Sequence, residues 1–414
     1  MSRKSLILII LLFSISSFAR TLSWTEAVEL AQKNSADLQA ATETYQAALA
    51  AESSAASGFL PKLSANMRGT HSGSSTTSSQ FSYGADLSLT QNLFAGFSDY
   101  YSYKIKKMTT EQALLDLKIA QARLSQELKQ TYSEAYYTQV NKKLTENILK
   151  RREENFKSVQ LQYEIGRENK GSLLLSQSYV EQAKYDVMRA DNEADSTLEN
   201  FRRYIGLPDT EEIVLENNIA KEESSPQTPN FKELSQVNYT YLKAKNEASS
   251  AEMTYQQSRS RFIPSLNFSA SYGYTDTKFF PEKDNWSMGL TFSIPIFDGF
   301  ADMATYRSNF SKSQSSSYSL KNTELIVLRD LKKSFYEYAE SLQKEKVDNS
   351  FNQAAILRAD IARNKYKNGL LSFEDWDIIE SDLIQKQKEI LLSEKNRILK
   401  QSNWERAQGI GVFK

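Results

Sequence analysis

The sequence predicts an α+β membrane protein: long, coiled-coil-like α-helices carrying four short membrane-crossing β-strands, with the whole arrangement written twice. Three observations predict this. First, the 414 residues include only 14 Gly and 7 Pro, about 5% together against roughly 12% in an average protein. The shortage is concentrated, because neither residue occurs from Phe97 to Ile165 or from Phe300 to Asn368. Gly and Pro are the chief interrupters of helices, so these two gaps predict two very long ones. Second, the chain matches itself at an offset of 203 residues. Third, four stretches alternate apolar and polar residues with the period of a strand.

Composition narrows the function classes. The balance of 51 basic against 51 acidic residues leaves no nucleic-acid footprint. A mean hydropathy of −0.55 argues against a bundle of membrane helices, and beyond the N-terminus no run approaches the ~18 apolar residues of a spanning helix. There is no cysteine and one histidine, which removes disulfides, thiolate zinc sites and thiol catalysis and makes a Ser/His triad a poor expectation. We therefore expect no enzyme activity, no metal and no cofactor. His71 lies in the Ser/Thr-rich stretch His71–Gln80, expected to be a polar loop, and is read as a solvated surface residue.

Residues 1–19 are expected to be a targeting segment. Arg3 and Lys4 precede the apolar run Leu6–Phe13, and small residues follow at Ser17 and Ala19. This is the pattern of a secretory signal cleaved after Ala19. Export without cysteine points to the periplasm or outer membrane of a Gram-negative cell, or to secretion.

The repeat is carried by landmarks at one offset. Phe59-Leu60-Pro61 falls on Phe262-Ile263-Pro264, and Leu93-Phe94-Ala95-Gly96-Phe97 on Ile296-Phe297-Asp298-Gly299-Phe300. Tyr163 and Gly166 fall on Tyr366 and Gly369, and Arg203 and Gly206 on Arg406 and Gly409. Duplication of a supersecondary unit is the strongest signal in the sequence. The expected first repeat, 20–206, holds a helix over Trp24–Ser57, a β-hairpin over 62–92, the long helix 97–165 and a return helix 172–205. The second, 230–414, holds a helix, a hairpin over 265–296, the long helix 300–368 and a return helix 372–408. A Pro-containing linker, 207–229, joins them.

Each long helix would reach about 100 Å at 1.5 Å per residue. Helix 24–57 and the return helix together match that length, which places the linker near the middle of the shaft. The hairpins need a different solvent. Leu63, Ala65 and Met67, then Phe81, Tyr83, Ala85, Leu87 and Leu89, define one apolar face in the first repeat. Leu266, Phe268, Ala270, Tyr272 and Tyr274, then Trp286, Met288, Leu290, Phe292 and Ile294, define it in the second. About ten residues with one apolar face is a strand crossing an outer membrane. Lipid tolerates no open sheet edge, so the strands must close into a barrel. Four strands per chain are too few, and two chains would supply eight, three twelve. Ser82, Asp86, Asn267, Ser269, Ser287 and Thr291 would then face a wet lumen. Phe59, Phe94, Phe262 and Phe297 would form an aromatic girdle at the strand ends.

On these residues the chain resembles the TolC family of outer-membrane efflux proteins. The likeness rests on the duplicated order, on Pro61 and Pro264 before the strands, and on the Tyr-x-x-Gly turns at Gly166 and Gly369. It rests also on the barrel-to-helix junctions Gln91-Asn92-Leu93-Phe94-Ala95-Gly96 and Ile294-Pro295-Ile296-Phe297-Asp298-Gly299, with Phe94, Gly96, Pro295, Phe297 and Gly299 as their marks. Pro295 fits the family pattern; Asn92 departs from it. The resemblance implies a homotrimer with a shared twelve-stranded barrel in outer-membrane lipid above an α-helical periplasmic tunnel. It implies an exit duct for small molecules or polypeptides in tripartite efflux or type I secretion, docked to a periplasmic adaptor and an inner-membrane pump of the RND or ABC type. A Cys-anchored lipoprotein form is excluded. The rival class is a non-channel periplasmic adaptor or scaffold, which shares helical hairpins but would carry compact β domains.

The resemblance further implies that acidic residues after the second tip turn ring the periplasmic entrance. Asp375 is the best positional match, with Asp377 and Glu374 beside it. The competing expectation is that acids in a first helical turn simply stabilise its positive end. A basic latch residue has no match, since Leu371 stands in its place, and Arg167 or Lys170 of the first turn are the candidate partners.

Overall fold

The computed structural model describes residues 20–74, 77–208, 213–216 and 227–413, so the expected signal segment lies outside the described residues. The chain opens with β1 (Arg20–Leu22), α1 (Trp24–Asn34) and α2 (Ala36–Ala56). The hairpin β2 (Lys62–Ser74) and β3 (Thr77–Ala95) follows, then α3 (Ser98–Glu164) and α4 (Lys170–Ile205). After β4 (Ile213–Leu215) the pattern recurs as α5 (Phe231–Val237), α6 (Tyr239–Ser258), β5 (Ser265–Asp276), β6 (Asp284–Ser293), α7 (Ala301–Lys367) and α8 (Phe373–Gln408). The two breaker-free gaps carry α3 and α7, each 67 residues and therefore about 100 Å long.

The expected single helix over Trp24–Ser57 is instead two helices. Ser35 is extended, closes α1 and caps α2, accepting from the Leu38 amide at 3.3 Å. Its counterpart Asn238 separates α5 from α6 and accepts from the amides of Thr240 and Tyr241. Short polar side chains substitute for a backbone partner, so they can end one helix and start the next without Gly or Pro.

The expected loop His71–Gln80 is also corrected. The ladder of β2 and β3 continues through His71↔Phe81 to Ser74↔Thr77. Backbone pairing needs no apolar face once the strands have left the hydrocarbon, so the Ser/Thr-rich ends stay paired without showing the alternation.

The four long strands form one antiparallel sheet in the order β2-β3-β5-β6. Among the described residues it is a single layer with no core on either face. Met67 is 92% exposed and Trp286 72%, and Met288, Leu290 and Phe292 are also exposed. An apolar face this continuous requires a cover. Among the described residues its two edges, β2 and β6, have no further strand beside them. Among the described residues no helix is long and apolar enough to cross a membrane.

Among the described residues the shaft is held by four apolar cores, the smallest being Ala355, Ala359 and Leu383 between α7 and α8. Leu128, Tyr132 and Phe201 of the first repeat recur as Leu331, Phe335 and Trp404 of the second, all buried. The first of these cores is completed by β1 and β4, which pair in parallel. The Tyr132 hydroxyl lies 3.1 Å from the Leu22 carbonyl and 2.7 Å from that of Glu216. Gln139 brackets β4, donating to the Ile213 carbonyl and accepting from the Leu215 amide. The described part of the linker is thus bound halfway along α3. The third core lies at the far end, where Val159, Ala362, Tyr366, Phe373 and Trp376 meet.

Candidate functional site

The far end of the shaft is built by two glycine turns. At the end of α3, Gly166 has φ 74°; its amide donates to the Tyr163 carbonyl and that of Arg167 to the Gln162 carbonyl. Gly369 repeats the arrangement at φ 71°, with Leu370 donating to Lys365. This is a helix end closed by a left-handed residue, which glycine adopts without side-chain strain. Asn169 then caps α4 and Ser372 caps α8.

The candidate acids separate at once. Asp375 and Glu374 are exposed in the first turn of α8. The Asp375 amide donates to the Ser372 hydroxyl at 3.1 Å, and that hydroxyl donates to the Asp375 carboxylate at 2.8 Å. Asp375 therefore serves the helix end. Asp377 turns inward and accepts from the Arg152 guanidinium of α3 at 2.9 Å, where both side chains are largely buried. Arg152 also donates to the Ser381 hydroxyl at 3.1 Å and lies over the Tyr179 ring of α4. Burial, then a hydrogen bond to Asp377, raises the Tyr179 phenol above its ordinary value. Arg167 and Lys170 are exposed, and neither has a side-chain hydrogen bond or ion pair among the described residues. The structure thus brings Asp377 to Arg152, not to the two expected partners.

Further contacts join the helical hairpins. Tyr366 stacks on Trp376 at 4.2 Å and donates to Glu168 of the first turn at 3.3 Å. Glu380 is buried and accepts from Arg363 at 2.7 Å. Sequence reasoning missed Arg152, Tyr179, Glu168 and Glu380. Arg152 had one signal available, a charge on the apolar stripe of α3 three residues before Asn155 and seven before Val159, all three buried.

At the other end, the two barrel-to-helix junctions differ in a way their sequences explain. Pro295 has no amide to give a ladder, and β6 stops at Ser293. Asn92 replaces it in the first junction, so β3 runs on through a register shift between Asn92 and Phe94, pairing Phe94 with Leu266 and Ala95 with Ser265. Both junctions then turn through left-handed pairs, Gly96–Phe97 and Gly299–Phe300. Phe97 packs edge-to-face on Phe94, and Phe300 on Phe297.

A four-stranded sheet with two open edges and a lipid-like outer face, carried on a helical shaft about 100 Å long, is one protomer of an outer-membrane channel. The outer membrane efflux protein family matches residues 27–207 and 233–408, one segment per repeat, and the chain belongs to that family. No curated protein sequence matches it. Among solved structures it is similar to CusC, at 15% identity over 94% of this chain and 92% of that one, with a TM-score of 0.84. It is similar to VceC of Vibrio cholerae at 16% identity, 94% and 96% coverage and a TM-score of 0.82. CmeC of Campylobacter jejuni follows at 15% identity, 93% and 85% coverage and 0.83. At such identities the structures establish the shared fold. The protein is an outer-membrane efflux exit channel, with its strands in the outer membrane and its helical shaft in the periplasm. A periplasmic adaptor is not favoured, and the family is one of channel proteins, not enzymes.

Proposed function

We propose that three copies close a twelve-stranded barrel above one helical tunnel. This duct passively carries small molecules or polypeptides delivered by a periplasmic adaptor and an inner-membrane pump of the RND or ABC type. The observation that carries the reading is the pair of open edges. β2 and β6 run in opposite directions across the sheet, so β6 of one copy can pair antiparallel with β2 of the next. Repetition of that pairing removes every edge, as lipid demands.

The tunnel is gated at its periplasmic tip. The exposed Asp375 and Glu374 offer negative charge at the entrance, and three copies around an axis would favour cations there. Asp377 acts differently: its bond to Arg152 holds α8 against α3, so the entrance widens only when that bond yields. Gly166 and Gly369 mark the surface offered to the adaptor.

Purification tests the reading. The full chain should require detergent, run as a heat-resistant trimer and conduct in planar bilayers. Release by carbonate as a non-conducting monomer would refute it. The acidic gate is tested separately: Asp375→Ala and Asp377→Ala must change single-channel conductance or cation preference, and unchanged values of both would sink it. Crosslinking in cells, followed by identification of the copurified inner-membrane protein, would assign the pump and with it the cargo.

A further inference from the structure

The polar face of the sheet is almost free of charge. Its residues are chiefly Ser, Thr, Asn and Gly, several of them hydrogen-bonded across the ladder. The Ser64 and Ser88 hydroxyls lie 2.7 Å apart, those of Ser271 and Ser287 2.9 Å apart, and Asn285 donates to the Thr275 hydroxyl at 2.8 Å. Between the strand ends, two charged residues interrupt this face among the described residues, Arg68 on β2 and Asp86 on β3.

They interrupt it together. Arg68 Nη2 is 4.0 Å from Asp86 Oδ1, and Asn66 donates to the other carboxylate oxygen at 3.0 Å. Glycine stands across the ladder from each: Gly84 opposite Arg68 and Gly273 opposite Asp86. At Gly273 a Cβ would lie 2.8 Å from the Asp86 Cα and Cβ atoms. Asp86 is therefore seated against the wall, 28% exposed, while the Arg68 side chain is 72% exposed and reaches into the space the sheet would enclose.

We propose that the Arg68–Asp86 pair sets the electrostatic potential of the barrel lumen. The inference rests on the trimeric barrel proposed above. Three pairs at one level make a neutral ring in a hydroxyl-lined wall, so the barrel passes cargo of either sign and charge selection is left to the tip. As a structural ion pair this contact is weak, being exposed. As a charge balance it is decisive, because loss of one partner leaves three like charges facing one another between low-dielectric walls that focus their field.

The absence of cysteine allows a direct test. A single Ser88→Cys, two residues from Asp86 on the same face, is introduced into the full-length chain and the trimer is purified in detergent. Its modification rates by thiosulfonate reagents bearing a trimethylammonium or a sulfonate are compared at low ionic strength, where screening is weak. These reagents can enter from the barrel mouth, so the tip does not limit the reading. In water a unit charge about 10 Å away changes the local concentration of a singly charged reagent about twofold. D86N should therefore raise the anionic-to-cationic rate ratio about fourfold, and R68Q should lower it by about as much. The double variant should return to the parent ratio. The proposal is overturned if both single variants leave the ratio unchanged, or if the double variant keeps the shift of either one. D86S serves as a second charge removal should D86N fail to give the heat-resistant trimer. A Ser88→Cys that resists both reagents, while Leu87→Cys reacts with them, would place the polar face away from water and overturn the barrel reading itself.

Discussion

Arg152 and Asp377 stand 225 positions apart and meet at 2.9 Å, joining the long helix of the first repeat to the return helix of the second. The contact ties the two helical hairpins of one protomer together just above the tip. Both side chains are at least 86% removed from water. Neither can be discharged cheaply by solvent, so the pair resists separation more than a surface bridge would.

Breaking it from one side should therefore be costly. Asp377→Ala leaves Arg152 with Ser381 and the Tyr179 ring but no counter-charge, and the protomer should lose about 2–3 kcal/mol, below the roughly 3–5 kcal/mol of a fully buried pair. The Arg152→Ala, Asp377→Ala double variant should lose less than the sum of the two single ones. Thermal unfolding of the three variants measures the coupling, and single-channel recording should show higher or noisier conductance in each. Additive stabilities with wild-type conductance would remove the pair from the gate.

Tyr366 gives the tip a predictable response to alkali. Burial first, and the neighbouring Glu168 carboxylate second, push its phenol above the ordinary value. A raised acid keeps its proton longer when folded. The stabilisation it brings is fully present below the unfolded value of about 10 and is lost only as pH rises through the higher folded value. Trp376 stacks on this ring and reports the event. The difference in tryptophan emission between wild type and Tyr366→Phe should stay flat to about pH 10 and change above it. A change centred near pH 8 would contradict the assignment.

The two junction glycines should differ although they occupy equivalent places. Both have positive φ, so alanine strains either backbone by about 1–2 kcal/mol. A Cβ at Gly96 would also meet the Ser260 carbonyl oxygen at 2.8 Å, whereas a Cβ at Gly299 would meet no atom beyond its chain neighbours within 4 Å among the described residues. Gly96→Ala should therefore lower the yield of heat-resistant trimer and the unfolding temperature more than Gly299→Ala. Equal losses would show that the close approach to Ser260 is immaterial.

The helix breaks make a similar pair. Ser35→Ala removes one cap bond, at a cost of about 1 kcal/mol. Asn238→Ala removes two amide contacts and also the bond from its side-chain amide to the Ala407 carbonyl at 2.8 Å. Asn238→Ala should be the more damaging by thermal unfolding, by about 1 kcal/mol further for the lost interhelical bond.

Much of the fold was legible because it is local and repeated. Gaps in Gly and Pro mark α3 and α7, and period-two alternation marks the strands, but the expected second hairpin, 265–296, overran: β6 stops at Ser293, because Pro295 has no amide to give the ladder. The breaks at Ser35 and Asn238 were not legible, since in this chain Ser and Asn also recur inside helices, as Ser308, Asn309 and Ser311 do in α7, and act as caps only in a particular conformation. The tip was legible as a place and poorly legible as a mechanism. Gly166 and Gly369 fix its turns, and Glu374, Asp375 and Asp377 lie within four consecutive residues. Their side chains nevertheless point to different surroundings, because successive helical residues are 100° apart.

By itself the sequence determined the duplicated order of helices and strands, the apolar face that demands lipid and the positions of the turns. Each of these depends on neighbours within a few residues or on one repeat period. Only the tertiary structure decided that Asp377 meets Arg152 while Asp375 caps its own helix, and that Asp86 lies against Arg68 across a ladder. Such pairings depend on which helix faces or strand registers are brought together, and that is set by packing across distances the local pattern does not encode.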